Sequence, residues 1–306
     1  MGKIVVAGSS NIDMTAYVKF LPHPGETIGG GRFGQANGGK GANQAVAAAR
    51  LGGDVTFLTC VGDDLNGRAL KDVFASDGMD TSCMKFSSSP TGTALIFVAE
   101  DGENCIAVAP GANRDLLPSD IDAAEGRIRG AEFLLVQLEI PLETVYHAVE
   151  IAANDGVKVI LNPAPFSDAI PVEVLRRLWL ITPNETEAEY LTGIKINSVS
   201  DAYQAADFLL SQGVGNVIIT LGSTGSVVCN SSLREFVPAR TVQAVDTVGA
   251  GDVYNGALVA ALSEGRDLVG AARFATLASS IAVTRPGAQD GVPHREEVDA
   301  LENNQQ

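Results

Sequence analysis

Asp246-Thr247-Val248-Gly249-Ala250-Gly251-Asp252 is the stretch from which the rest of the chain can be read. Two carboxylates bracket a run of small residues. An apolar helical pattern follows at once, through Val253, Tyr254, Ala257, Leu258 and Leu262. Small residues in a first helical turn let backbone N–H groups approach a ligand. A helix start also leaves N–H groups without intrahelical partners and carries partial positive charge, so it suits an anion, phosphate above all. Asp252 can accept a proton from an alcohol while those N–H groups hold the phosphoryl group that the alcohol attacks. Such positioning, an electrostatic cradle and a metal are most of what phosphoryl transfer asks of a protein. The same residues also fit a plain N-capping Asp after a glycine-rich turn.

Upstream of this stretch, short apolar runs alternate with helical patterns. Lys3 to Gly8 (KIVVAG), Val55 to Val61, Phe133 to Leu138 (FLLVQL), Val157 to Leu161 (VKVIL), Trp179 to Thr182 and Val217 to Leu221 (VIITL) read as buried strands. Gly67 to Asp77 and Leu142 to Asn154 read as helices between them. After Asp252, two helices are expected as far as about Arg285, then the glycine-rich loop Arg285-Pro286-Gly287-Ala288-Gln289 and a polar tail. This alternation predicts one α/β domain over residues 1–306, with a doubly wound, mostly parallel sheet in three α/β/α layers. Two inserts break the pattern, at about 14–37 and 91–109. The second reads as a hairpin across Asp101-Gly102. Together they are expected to pair as a small β-sheet lid over the site.

The composition narrows the function. The 306 residues carry a net charge of -16 and show no basic stripe, which argues against nucleic acid as a partner. One positive site for a nucleotide remains compatible with that charge. Cys60, Cys83, Cys105 and Cys229 form no Cys-x-x-Cys pair and have no His at metal-ligand spacing, so structural zinc is not expected. With no signal-like start and no apolar span of membrane length, the expectation is a cytoplasmic protein without a membrane partner.

Polar residues gather where strands end or helices begin, the places where open parallel sheets bind ligands. Asn11 and Asp13 follow the first strand; they suit either a turn or contact with a polar small molecule. Gly38-Gly39-Lys40-Gly41-Ala42-Asn43-Gln44 leads into the helix AVAAARLG, expected to begin at Ala45. Gly34 with Gly39-Lys40 matches much of a P-loop, but Gly41 stands where that loop needs Ser or Thr for magnesium, and no buried strand directly precedes it. A flexible loop, or a cradle for sugar hydroxyls with Lys40 and Asn43 donating, fits better. Glu139 ends another strand. Asn184 and Glu187 have capping-box spacing, and the same helix start can face phosphate oxygens and hydrated magnesium. Gly222-Ser223-Thr224-Gly225 is a turn that suits either a hairpin or a nucleotide. Gly8-Ser9-Ser10-Asn11 lacks the Gly-x-Gly-x-x-Gly of a dinucleotide oxidoreductase.

These residues resemble the PfkB family of carbohydrate kinases, and most closely its ribose-phosphorylating members. The resemblance runs from Lys3 to about Asp299 and is carried by Gly38 to Gln44, Asn162-Pro163-Ala164-Pro165, Thr182 to Glu187 and Asp246 to Asp252. It implies Asp252 as general base, with the Gly249, Ala250 and Gly251 amides as the anion hole. Asn11, Asp13, Gly39, Lys40, Gly41, Ala42, Asn43, Glu139 and Asp252 match sugar-side positions. Asn184, Thr220, Leu221, Gly222, Ser223, Thr224, Gly225, Gly251, Asp252 and Thr276 match ATP-side positions. Thr276 stands where a larger polar residue often meets the adenine.

The resemblance further implies Mg2+ with Glu187 ordering its water, and K+ held at Asp246, Val248, Ala282, Arg285, Gly287 and Gly291, mostly by carbonyls. Gly291 stands where a Ser is often found. A homodimer formed through the lid is implied as well. Two alternatives to ribose phosphorylation remain: a kinase for 2-deoxyribose, another sugar or a nucleoside, and a sugar sensor without catalysis. No paired aromatics stand near Asn11 or Lys40 to sandwich a purine.

Overall fold

Alternate residues of the first strand, β1 (Lys3–Ala7), point to opposite faces of one sheet. Ile4 and Val6 pack with Phe57, Val46, Leu258 and Ala275 on one side. Val5 and Ala7 pack with Leu58, Ile121, Val145 and Ala205 on the other. Such strands are apolar on both faces because helices cover both. The computed structural model that shows this arrangement describes residues 2–166 and 170–303.

The strands that follow are β2 (Asn11–Val18), β3 (Arg32–Gly38), β4 (Asp54–Gly62), β5 (Met84–Ser87), β6 (Gly92–Ala99), β7 (Asn104–Ala109), β8 (Phe133–Val136), β9 (Lys158–Leu161), β10 (Leu180–Ile181), β11 (Asn216–Thr220), β12 (Gly225–Asn230) and β13 (Arg234–Pro238). Nine form the main sheet in the order β13-β12-β11-β10-β9-β8-β1-β4-β5. All neighbours from β11 to β5 are parallel, and β12 alone runs antiparallel to its two neighbours. Ile4 of β1 lies opposite Val55 on one side and Phe133 on the other. Helices Lys40–Arg50, Ala250–Ser263 and Leu268–Ala282 cover one face, and Leu142–Asn154 and Val199–Ser211 lie on the other. This is the expected doubly wound, three-layer α/β/α architecture.

A separate four-stranded sheet has the order β3-β2-β6-β7. The hairpin across Asp101-Gly102 is present, and Gly102 takes φ 90°, a turn conformation open to glycine. The small sheet is mixed: β2 pairs antiparallel with β3 but parallel with β6. It also begins earlier than the expected insert, at Asn11, so Asn11 and Asp13 belong to its strand β2 and not to a turn.

The chain departs from the sequence reading elsewhere too. The polar tail contains a helix, Arg295–Asn303, because Val298 and Leu301 form an apolar stripe that packs on the core. The first insert leads into a helix that starts at Lys40, so the whole Lys40 to Asn43 segment is helical. The 3-10 turn Gly222–Thr224 leads into β12, which pairs antiparallel with β11. All four cysteines are free, and Cys60 is fully buried. Among the described residues, no helix is long and apolar enough to cross a membrane.

Candidate active site

The carboxyl ends of β1, β8, β9, β10 and β11 open toward the starts of two helices. The first start is built by close backbone contact. A Cβ on Gly41 would lie 2.5 Å from the Gly8 carbonyl carbon and the Ser9 nitrogen, so only glycine lets this helix sit against the end of β1. Ser9 then serves it twice: its carbonyl accepts from Ala42 N–H at 2.8 Å, and its Oγ accepts from Gly41 N–H at 3.3 Å. Ser9 Oγ itself donates to Glu139 Oε2 at 2.5 Å, and Lys40 N–H donates to the same oxygen at 2.9 Å. Glu139 thus caps a helix whose preceding residue, Gly39, has no side chain to do so. The amides of Lys40, Gly41 and Ala42 are occupied; the Lys40 ammonium lies near the carboxylates of Asp252, Glu139 and Glu187.

The second start is the quoted stretch. Gly249 sits at the N-cap with φ 76°, and an added Cβ would come 2.8 Å from that of Ala288. Ala250 N–H donates to the Thr247 carbonyl at 3.2 Å. The N–H groups of Gly249, Gly251 and Asp252 donate to no acceptor among the described residues, leaving three donors beside a carboxylate. Added atoms at Gly251 would meet nothing within 4 Å, so the approach to it is open.

Asp252 is buried, and both of its oxygens are held. Asn43 Nδ2 donates to Oδ2 and Gln44 Nε2 to Oδ1, each at 2.9 Å. Around it the structure gathers Asp13, Lys40, Glu139 and Glu187. Burial, then the charges of Glu139 and Asp252, push the Asp13 carboxyl up to about 6. Burial works against the charge of Lys40, but the carboxylates of Asp252, Glu139 and Glu187 outweigh it and raise its pKa. Glu187 is raised chiefly by burial, against the Asn184 N–H it accepts. Asn11 is buried, and its Oδ1 accepts from Asn113 Nδ2 at 2.7 Å.

Asn184 and Glu187 form a complete capping box, with bonds of 2.8 and 3.0 Å. Beside them is a cleft of about 640 Å³, a volume typical of small-ligand sites. Of the residues read from sequence as ATP-side, Asn184, Thr220, Gly222, Ser223, Gly225, Gly251 and Thr276 line it, and Leu221, Thr224 and Asp252 do not. Thr276 donates its hydroxyl proton to the Ala272 carbonyl of its own helix, at 2.9 Å. Arg240, Thr247, Tyr254 and Ser279 also line the cleft, without having been singled out from sequence. Arg240 carries the only signal that was available, a cation in a loop.

Asp246 joins two loops, accepting from Val248 N–H and from Gly287 N–H at 2.9 Å each. A Cβ on Gly291 would lie 2.6, 3.3 and 3.7 Å from the carbonyl oxygens of Gly287, Ala282 and Arg285. These carbonyls gather on the open side of Gly291 and are oxygen ligands of the kind a monovalent cation takes. The Arg285 side chain turns away to pair with Glu297. Among the described residues there is no group of three or more His, Cys, Asp or Glu placed to hold a metal ion.

The sequence profile of the pfkB family carbohydrate kinases matches residues 1–295. Ribokinase from Haemophilus influenzae is 43% identical over 295 residues, covering 96% of each chain. Deoxyribokinase from Salmonella typhimurium is 37% identical over 295 residues, again with 96% of each covered. Among solved structures, Arabidopsis thaliana ribokinase complexed with ribose and ATP superposes with a TM-score of 0.93 at 32% identity, over 98% of both chains.

Proposed function

The chain belongs to the PfkB family of carbohydrate kinases, and from that footing we propose that it transfers the γ-phosphoryl group of ATP to the 5-hydroxyl of D-ribose. The observation that carries this reading is the pairing of a buried carboxylate, Asp252, with the unpartnered N–H groups of Gly249 and Gly251 at the mouth of the nucleotide cleft.

In this mechanism the ribose 5-hydroxyl gives its proton to Asp252, and its oxygen bonds to the γ-phosphorus as the bond to the β-phosphate oxygen breaks. The amides of Gly249, Ala250 and Gly251 carry the charge of the phosphoryl oxygens in flight; Ala250 N–H must leave the Thr247 carbonyl to take part. Asn11, Asp13, Gly39, Lys40, Gly41, Ala42, Asn43 and Glu139 form the sugar side, where a polyhydroxylated ring needs both donors and acceptors. Gly39, Gly41 and Ala42 contribute mainly by lacking bulk. Asn184 and the Thr220 to Gly225 turn face the nucleotide.

Glu187 would orient the water of a magnesium ion, which when bound neutralises the polyphosphate. Asp246 and the carbonyls of Val248, Ala282, Arg285, Gly287 and Gly291 would hold potassium, which when bound adds positive charge beneath the anion hole. The exposed apolar residues of the small sheet, among them Leu95, Ile106 and Val108, support its use as a lid through which two copies pair. Four free cysteines support residence in the cytoplasm.

A 2-deoxyribose acceptor is the second reading, favoured by the deoxyribokinase relative. An ADP-release assay over ribose, 2-deoxyribose, other sugars and adenosine tests both. Ribose as the best acceptor supports the proposal; adenosine active with ribose inert would overturn it, and binding without ADP release would point to a sensor.

A further inference from the structure

The Asp252 carboxylate is the centre of a two-armed amide relay. Asn43 and Gln44 are consecutive on the first helix and reach opposite oxygens of it. A carboxylate only accepts, so each amide must turn its nitrogen inward. Each amide oxygen therefore faces outward, and each meets a further glutamine. Gln137 Nε2 donates to Gln44 Oε1 at 2.7 Å, and Gln289 Nε2 donates to Asn43 Oδ1 at 3.0 Å. The second hydrogen of Gln44 Nε2 goes to Asn162 Oδ1 at 2.9 Å. All these side chains are buried. Among the described residues, the only buried side-chain polar atoms without a partner are Gln137 Oε1 and Gln289 Oε1, the outer ends of the two arms.

The polarity runs outward from the carboxylate, and its cost appears where each arm ends. An unmet buried acceptor is destabilising, and a fold under selection for stability alone has cheaper ways to fill this space. We propose that Gln44 with Gln137, and Gln289 acting through the sugar-side Asn43, are positioning residues that clamp both oxygens of Asp252. Each oxygen gives one lone pair to the clamp and keeps another. The clamp fixes the plane of the carboxylate, so that a remaining lone pair faces the sugar hydroxyl and receives its proton. This inference rests on Asp252 being the base. Gln44, Gln137 and Gln289 do not line the cleft and lie outside the proposed sugar-side set, so they act through their neighbours.

Steady-state kinetics and thermal unfolding of Q44M, Q137M, Q289M and the double variant Q44M/Q137M, beside D252N, test it. Methionine keeps the length and removes the donor. The expected result for Q44M is a kcat loss of roughly 10- to 100-fold, with KM for ribose and for ATP within about threefold of the parent. Gln137 works only through Gln44, so the double variant should be no slower than Q44M. Purely structural damage would instead accumulate across the pair and raise KM as well. If Q44M does not fold, Q137M decides alone, by the same fall in kcat at constant KM. A kcat within about twofold of the parent in the folded variant, or a loss confined to KM, overturns the clamp. Near-normal turnover in D252N would instead defeat the base assignment, whatever the glutamine variants do.

Discussion

Lys40 and Glu139 meet through the backbone: the Lys40 N–H donates to Glu139 Oε2 at 2.9 Å across 99 positions of sequence. Glu139 therefore has two duties. Its Oε2 holds the start of the first helix and Ser9 Oγ, while its other oxygen is left for a ligand.

Substituting Glu139 separates those duties. Glu139→Gln keeps an acceptor for the cap but loses the charge, so its stability should stay near the parent while KM for ribose rises about 10- to 100-fold, the value of a hydrogen bond to a charged group. Glu139→Ala should add a loss of about 1 kcal/mol in unfolding free energy from the missing cap. Denaturant unfolding and ribose kinetics on the same preparations check both.

Asp13 predicts a pH dependence. Burial first, and the neighbouring Glu139 and Asp252 second, raise its pKa from 3.8 to about 6 in the folded protein. The folded state thus holds this proton more tightly than the unfolded chain. The stability it contributes is complete below the unfolded value and is lost as pH rises through about 6. Sugar binding runs the other way, because the ionised carboxylate accepts from hydroxyls at both oxygens and with full charge, whereas protonation turns one oxygen into a donor. KM for ribose should fall as pH is raised from about 5 to about 8, and Asp13→Asn should flatten that limb while weakening binding throughout.

The carbonyl cluster predicts a cation effect separable from the sugar. A Cβ on Gly291 would press to 2.6 Å from the Gly287 oxygen, so Gly291→Ala must move that loop. The potassium concentration for half-maximal activation should rise several-fold, roughly 3- to 10-fold, with KM for ribose little changed. Potassium titrations at saturating ribose and ATP read this directly.

Arg240 lines the nucleotide cleft and makes no hydrogen bond or ion pair among the described residues. Arg240→Ala should raise KM for ATP about 3- to 10-fold and leave KM for ribose within about twofold, since one exposed cation near a polyphosphate contributes modestly. Equal changes in both constants would remove it from the nucleotide side.

The main sheet was legible because its strands are apolar on both faces and its helices keep one period; Leu142–Asn154 has the ends the sequence suggested. The first helix begins earlier than expected because its cap is supplied by Glu139, far along the chain. The parallel pairing of β2 with β6 depends on two segments separated by three strands and two helices, which no local pattern records. The tail helix was obscured by its charges, with only Val298 and Leu301 to mark a buried side. Charged residues of the site stood out because carboxylates at strand ends are chemically conspicuous. The amides of Gln44, Gln137 and Gln289 did not, since an uncharged amide in sequence gives no sign of being buried, and these partners lie 93 and more positions apart.

The central claim is that the Asp252 carboxylate removes the proton from the sugar. The most direct test is turnover by Asp252→Asn, measured alongside equilibrium ribose binding. The account predicts ribose binding that remains measurable and turnover lowered by roughly 10²- to 10⁴-fold, the usual worth of a general base. Turnover near that of the parent, with ribose still bound, would contradict it.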